Sequence, residues 1–295
     1  MNRQISETLK IDIAEDGIWL SENIVYTQIP PDLKSLKKGG VFTRNAYQYH
    51  LSIIRPYTEA ARQPCVVFLC GGGWRHQEHN AYIPQFSWLA HKGYTLAFVE
   101  YPCEEPYKFP ELLISIKSAI RFLRANADDY QIDKTRIGIW GEGAGAHLAA
   151  MTALTNGHPQ YERGFYLEES SDVQAVCTWD LFSDFLTDCN PNRLFTQYYL
   201  FGCTENDHIE ELRAASPYYC VTEACPPFLM FHGTEDRRVS PEQSEKMYDE
   251  LTTKRIPADL YLLKGADHNS PAYLQEPIND LIAAFFDHWL KGRKC

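Results

Sequence analysis

Arg136-Ile137-Gly138-Ile139-Trp140-Gly141-Glu142-Gly143-Ala144-Gly145 decides the reading of this chain. Its first five residues are strand-like, and the Ala- and Leu-rich run from Ala144 to Leu154 that follows is helix-like. A strand, a tight glycine-flanked turn and a helix make up the G-x-S-x-G elbow, whose central serine is a nucleophile toward ester or amide carbonyls. The flanking glycines stand at 141 and 145, but position 143 carries no hydroxyl. The frame of the motif is complete while its reactive atom is missing.

Working outward, the chain alternates between two hydrophobic periods. Cys65 to Cys70 is an unbroken apolar run of the kind a strand covered on both faces shows. A helix is expected around Phe86 to Lys92, with Gly93 placed to end it, and Tyr94 to Val99 reads as the next strand. After Pro110, Leu112, Leu113, Ile116, Ile120 and Leu123 share one helix face. Val173 to Trp179, Phe228 to Phe231 and Leu260 to Leu263 are further strands. Ser240, Pro241 and Gln243 have the pattern of a capping box at a helix start. The closing helix aligns Ile278, Leu281, Ile282, Phe285, Phe286 and Trp289. This rhythm implies an α/β fold: a mostly parallel sheet with helices on both faces, its ligands beyond the carboxyl ends of the strands. One domain over 1–295 is expected, with 1–60 as an N-terminal extension and first strands (Ile24 to Ile29, Tyr47 to Ile54, around a Lys/Gly-rich loop from Lys34 to Gly40). Residues 180–225, rich in aromatics and turns, read as a small cap-like insertion.

A formal net charge of −11 over 295 residues argues against nucleic acid and anionic membranes as partners. No apolar stretch approaches the roughly 18 residues of a membrane span. The nine cysteines are scattered without a C-x-x-C pair, and the amino terminus lacks the apolar core of a signal peptide. The expectation is a cytoplasmic protein with free thiols. Homo-oligomerisation stays open at this level.

The order of motifs resembles the α/β-hydrolase family, in particular carboxylesterases and lipases with a glycine-rich oxyanion loop, including feruloyl and acetyl esterases. The resemblance runs from about Tyr47 to the C-terminus. Cys70-Gly71-Gly72-Gly73-Trp74 is similar to the HGGGW loop, with Cys70 in place of its histidine. Glu100-Tyr101-Pro102 likewise replaces the family's Asp-Tyr-Arg. By this resemblance the N–H groups of Gly72, Gly73 and Ala144 form the oxyanion hole. Asp236, in Phe231-His232-Gly233-Thr234-Glu235-Asp236, is the implied triad acid, and Asp184 the reserve acid. His268, in Gly265-Ala266-Asp267-His268, is the implied base, and position 143 the attack point. The order nucleophile, acid, histidine matches. His147 is expected to pack or hydrogen-bond on the elbow helix, and His232 to be buried at a strand end. His76, Glu78 and His79 lack metal-site spacing, and neither metal nor cofactor is expected.

A glycine at 143 leaves the fold intact, because it adopts strained elbow angles without cost, but it deletes the attacking oxygen. Neither Glu142 nor Cys70 can stand in for it. Two readings follow. One is a serine esterase disabled at 143 that binds a small, aromatic or sugar ester without cleaving it efficiently. The other is a pseudo-hydrolase that serves as a ligand-binding protein or as a lyase or isomerase using His268. Trp74, Glu142 and Trp179 are the expected substrate-binding residues, with Phe182, Phe185, Tyr198 and Tyr199 as further candidate aromatics near the pocket. Against this stands the plainer possibility that these rings pack the insertion onto the sheet.

Overall fold

The computed structural model describes residues 17–29, 47–58, 62–75, 78–103, 108–187, 200–202 and 208–292. The expected loop from Lys34 to Gly40, and His76, Tyr198 and Tyr199, lie outside them.

The apolar run after Arg62 forms strand β3 (Gln63–Leu69), fully enclosed beyond its first residue. Successive side chains point to opposite faces, so Cys65, Val67 and Leu69 enter one core and Val66, Phe68 and Cys70 the other. Around it lie β1 (Ile18–Ile29), β2 (Tyr47–Pro56), β4 (Thr95–Val99), β5 (Ile132–Glu142), β6 (Val176–Trp179), β7 (Phe228–Gly233) and β8 (Ala258–Leu263). They make one eight-stranded sheet in the order β1-β2-β4-β3-β5-β6-β7-β8. The pairs β1/β2 and β2/β4 are antiparallel and the remaining pairs parallel.

Helices α1 (Ile83–His91), α2 (Glu111–Ala125) and α3 (Ala144–Leu154) follow β3, β4 and β5. Two short helices come after β6, α4 (Ile209–Ala214) and α5 (Pro217–Cys220), then α6 (Glu242–Thr253) and α7 (Glu276–Lys291). One core joins α2, α3 and α6 to the sheet through Ile116, Ala149 and Met247, and the other joins α1 and α7 through Phe86 and Phe286. This is the α/β-hydrolase arrangement. Among the described residues no helix is long and apolar enough to cross a membrane.

Three local expectations change. Strand β6 is regular only from Val176, three residues later than read from Val173: Val173 binds the Asn156 side chain, while Gln174 and Ala175 bond the β5 backbone at Ile137 and Ile139. The capping box at α6 does not form: Gln243 turns away to accept the N–H groups of Ser183 and Asp184 and to donate to the Asp184 carbonyl. Trp289 stands 38% exposed at the end of the α7 stripe rather than in the core.

Candidate active site

The elbow forms where β5 hands over to α3. Gly143 sits at φ 52°, ψ −117°, in the left-handed half of backbone space. Its N–H bonds to the Trp179 carbonyl at 2.9 Å, tying the turn to β6. The flanking glycines are there for close approach: a Cβ at 145 would lie 2.1 Å from the Leu69 carbonyl oxygen, and one at 141 would lie 2.3 Å from that of Gly145.

His268 reaches this turn from the loop after β8. A Cβ built at 143 would stand 3.3 Å from His268 Nε2, so the base faces the attack point. Nε2 has no partner among the described residues, while Nδ1 lies 2.7 Å from Asp236 Oδ2. The carboxylate there can only accept, so the proton sits on Nδ1 and the Nε2 lone pair points at position 143. Asp236 Oδ1 accepts the N–H groups of Arg238 and Val239 at 2.8 and 2.9 Å, which fix the carboxylate. Burial would raise the pKa of Asp236, but hydrogen bonds from His232, His268 and the Val239 N–H hold it well below the usual carboxylate range. Burial likewise works against a charged His268, yet the Asp236 hydrogen bond and the charges of Asp180, Asp236 and Glu142 carry its pKa above the ordinary imidazole value.

Asp180 was not expected here. It follows β6 immediately, its backbone at φ 53°, and is fully buried. Its Oδ2 lies 3.5 Å from His268 Nδ1 and accepts the Asn269 N–H at 3.0 Å. Its Oδ1 accepts the Tyr273 hydroxyl and the Gly233 N–H. Desolvation raises its pKa against the pull of His232 and His268. Two carboxylates thus flank one imidazole, pushed in opposite directions. The reserve acid expected at 184 is elsewhere: Asp184 is bound to Lys246, Thr187 and the Leu186 N–H. The sequence signal was right about the strand and four residues too far along, because 180 was assigned to the insertion.

His232 is buried, as expected, with Nε2 3.0 Å from the Val239 carbonyl and Nδ1 2.7 Å from Ser244 Oγ. A carbonyl only accepts, so Nε2 carries the proton. Asp180, His232 and Asp236 offer ligand atoms within 4.8 Å of one another, the one such cluster among the described residues. A cation there would have to break the Val239 bond and displace the acid from His268. Glu78 and His79 are not part of that cluster.

The glycine loop is held from behind. Gly71 N–H donates to Glu142 Oε1 at 2.8 Å, Tyr82 donates to Oε2 at 2.8 Å, and Tyr101 donates to the Cys70 carbonyl at 2.8 Å. Gly72 and Gly73 follow with φ of 125° and 64°. The N–H groups of Gly72, Gly73 and Ala144 have no acceptor among the described residues.

The three expected substrate-binding residues are corrected by their surroundings. Glu142 is 3% exposed, and its two oxygens are taken by Gly71 and Tyr82; burial raises its pKa. It clamps the loop. Trp74 is buried under the elbow helix, donating to His147 Nδ1 at 3.1 Å and resting against Phe182 and Phe185, themselves buried. Trp179 is enclosed by Trp140, Phe86 and Tyr273. Trp179 ends β6 and the other three rings lie on loops, yet all four are buried, so the packing alternative holds for the four aromatics that can be placed.

A strained turn facing an acid-backed imidazole, with unpaired amides beside it, on an eight-stranded α/β sheet, defines a carboxylic ester hydrolase scaffold. The chain belongs to the BD-FAE family, whose profile matches residues 51–251. It is 30% identical over 213 residues to Esterase LipC of Mycobacterium tuberculosis, covering 70% of this chain and 52% of LipC. The chain therefore spans about half the length of that relative. Two solved structures share the fold. One is a truncated carbohydrate esterase from gut microbiota, with TM-score 0.73, 20% identity, and 94% and 98% of the two chains covered. The other is propionate-bound esterase Est2 of Thermogutta terrifontis, with TM-score 0.68, 21% identity, and 91% and 93% covered.

Proposed function

We propose that this chain receives a small, aromatic or sugar carboxylic ester in a serine-esterase pocket and, lacking the serine, turns it over poorly. The observation that carries this reading is that the Cβ position at 143 lies only 3.3 Å from His268 Nε2, so the hydroxyl of a serine there, one bond further out, comes within hydrogen-bond reach of that nitrogen. In the serine form, residue 143 attacks, His268 takes the proton and returns it to the leaving alcohol, and Asp236 holds the imidazole tautomer. Gly72, Gly73 and Ala144 stabilise the oxyanion. A carbohydrate esterase and a propionate-bound esterase among the structural neighbours support an ester with a short acyl group or a sugar alcohol. The free thiols suit a reducing, cytoplasmic setting. A single domain with a small cap over 180–225 belongs to the same reading.

The test is Gly143→Ser, assayed on p-nitrophenyl acetate and butyrate. Losing a nucleophile costs about 10⁶ in turnover in a serine protease, so a gain of several orders of magnitude is expected. A folded serine variant with no gain overturns the proposal.

A further inference from the structure

The serine form has a nucleophile for His268 to activate; the chain as it stands has the same base aimed at a backbone turn. The imidazole is backed by more than a triad supplies. Its Nδ1 lies 2.7 Å from Asp236 Oδ2 and 3.5 Å from Asp180 Oδ2, both carboxyl groups belonging to buried side chains. Tyr273, the Gly233 N–H and the Asn269 N–H hold Asp180 in that place. Asp180 therefore reads both the imidazole and the backbone of the residue after it. The His268 side chain is 10% exposed, and of its two ring nitrogens Nε2 has no protein partner among the described residues. It faces a residue whose missing Cβ leaves the point 3.3 Å away unoccupied by protein. A water oxygen hydrogen-bonds an imidazole nitrogen at roughly 2.8 Å, within that separation.

We propose that His268, positioned by Asp236 and Asp180, activates water directly at Gly143, so that the chain hydrolyses esters in one displacement without an acyl-enzyme. This rests on the ester-pocket reading above. The water oxygen bonds to the carbonyl carbon as its proton passes to Nε2, and the carbonyl electron pair moves to the oxygen facing the Gly72, Gly73 and Ala144 amides. The tetrahedral adduct re-forms the carbonyl and breaks the ester C–O bond. The leaving alkoxide takes the proton back from His268, giving acid and alcohol.

Asp180 is a positioning residue in this scheme, acting through the imidazole. Among the described residues the charged groups that act on His268 are acidic: Asp236 from the loop after β7, Asp180 from the end of β6 and Glu142 from the end of β5, with Asp267 on its own loop accepting its N–H and His232 behind Asp236. Burial opposes the imidazolium, and the carboxylates outweigh it. A water attacked by a stronger base loses its proton more readily, which partly offsets the poorer nucleophile.

The experiment follows p-nitrophenyl acetate hydrolysis by the full chain, with the protein mass recorded after turnover. The expected result is a rate above buffer that is linear from the first turnover, leaves no acyl adduct and is insensitive to a fluorophosphonate. His268→Gln should lower it to the buffer rate. Gly143→Ala should do the same, because its methyl takes the water's place; this second variant keeps the test valid should His268→Gln unfold. In Asp180→Asn the imidazolium loses a stabilising charge, so the rising limb of the pH–rate profile should move to lower pH, a shift that mere loss of packing would not produce. A chain no faster than buffer overturns the proposal, as does a rate that survives both His268→Gln and Gly143→Ala, a fluorophosphonate-sensitive rate, or an unmoved limb. If Gly143→Ser also gains nothing, the ester-pocket reading falls as well; if Gly143→Ser gains a burst while the glycine chain shows no His268-dependent rate, the water route alone falls.

Discussion

Under the proposed function, stability and activity pull in opposite directions at position 143. The left-handed angles there cost a side-chain-bearing residue about 1–3 kcal/mol, and glycine avoids the strain. Gly143→Ala and Gly143→Ser should each lower unfolding free energy by about that amount in urea titrations, even if the serine variant gains the turnover the proposed function expects. Equal stability of all three forms would mean that the turn relaxes. His268 and Asp236 were legible in the sequence because each follows a strand run at a place where a sheet of this type collects its ligands. Asp180 was not legible. Telling 180 from 184 requires knowing where β6 stops pairing, and an aspartate at the lip of an insertion looks like any turn residue.

At the scale of elements, the elbow depends on how closely β3, β5 and α3 approach. Gly145 has no room for a side chain, with backbone oxygens of Leu69 and Cys70 at 2.1 and 2.9 Å from its Cβ position. Neither oxygen can retreat without moving β3. Gly145→Ala should therefore destabilise the chain by about 3 kcal/mol or more, exceeding Gly143→Ala, whose nearest obstacle is a side chain. A denaturation midpoint for Gly145→Ala no lower than that for Gly143→Ala would contradict this ordering. The motif thus announced two close approaches as well as one strained turn. What it could not announce was the far partner: Glu142 sits inside the motif, but its carboxylate serves the Gly71 loop across β3. Gln243 shows the same limit, its local spacing suggesting a cap while a neighbouring loop claims its amide.

Over the whole molecule, period-two runs and amphipathic helices made the sheet and its two covered faces readable. The partners of the buried polar links between layers were not. His147 is one such link, fully enclosed between Trp74, which donates to its Nδ1, and the Ala215 carbonyl, which accepts from Nε2. The Trp74 bond requires an unprotonated Nδ1, so the two bonds together hold the neutral ring with its proton on Nε2. Burial lowers its pKa from 6.5 to about 4. Above pH 6.5 the ring is neutral in both folded and unfolded chains and the shift has no effect. Between 6.5 and about 4 the unfolded chain takes up a proton that the folded chain refuses, so stability falls with falling pH, by up to about 3 kcal/mol from this group. Urea unfolding at pH 7.5 and pH 5 should show a smaller acid loss in His147→Gln than in the parent chain; equal losses would remove His147 from the account.

The left-handed turn at 143 also sets a mutational distance. Where the codon is GGT or GGC, a single G-to-A transition at its first base writes serine into a backbone already shaped for it. On the proposed function, slow and fast ester turnover would then be neighbouring genotypes, and a modest error-prone library plated on a chromogenic ester should return serine variants in its first round.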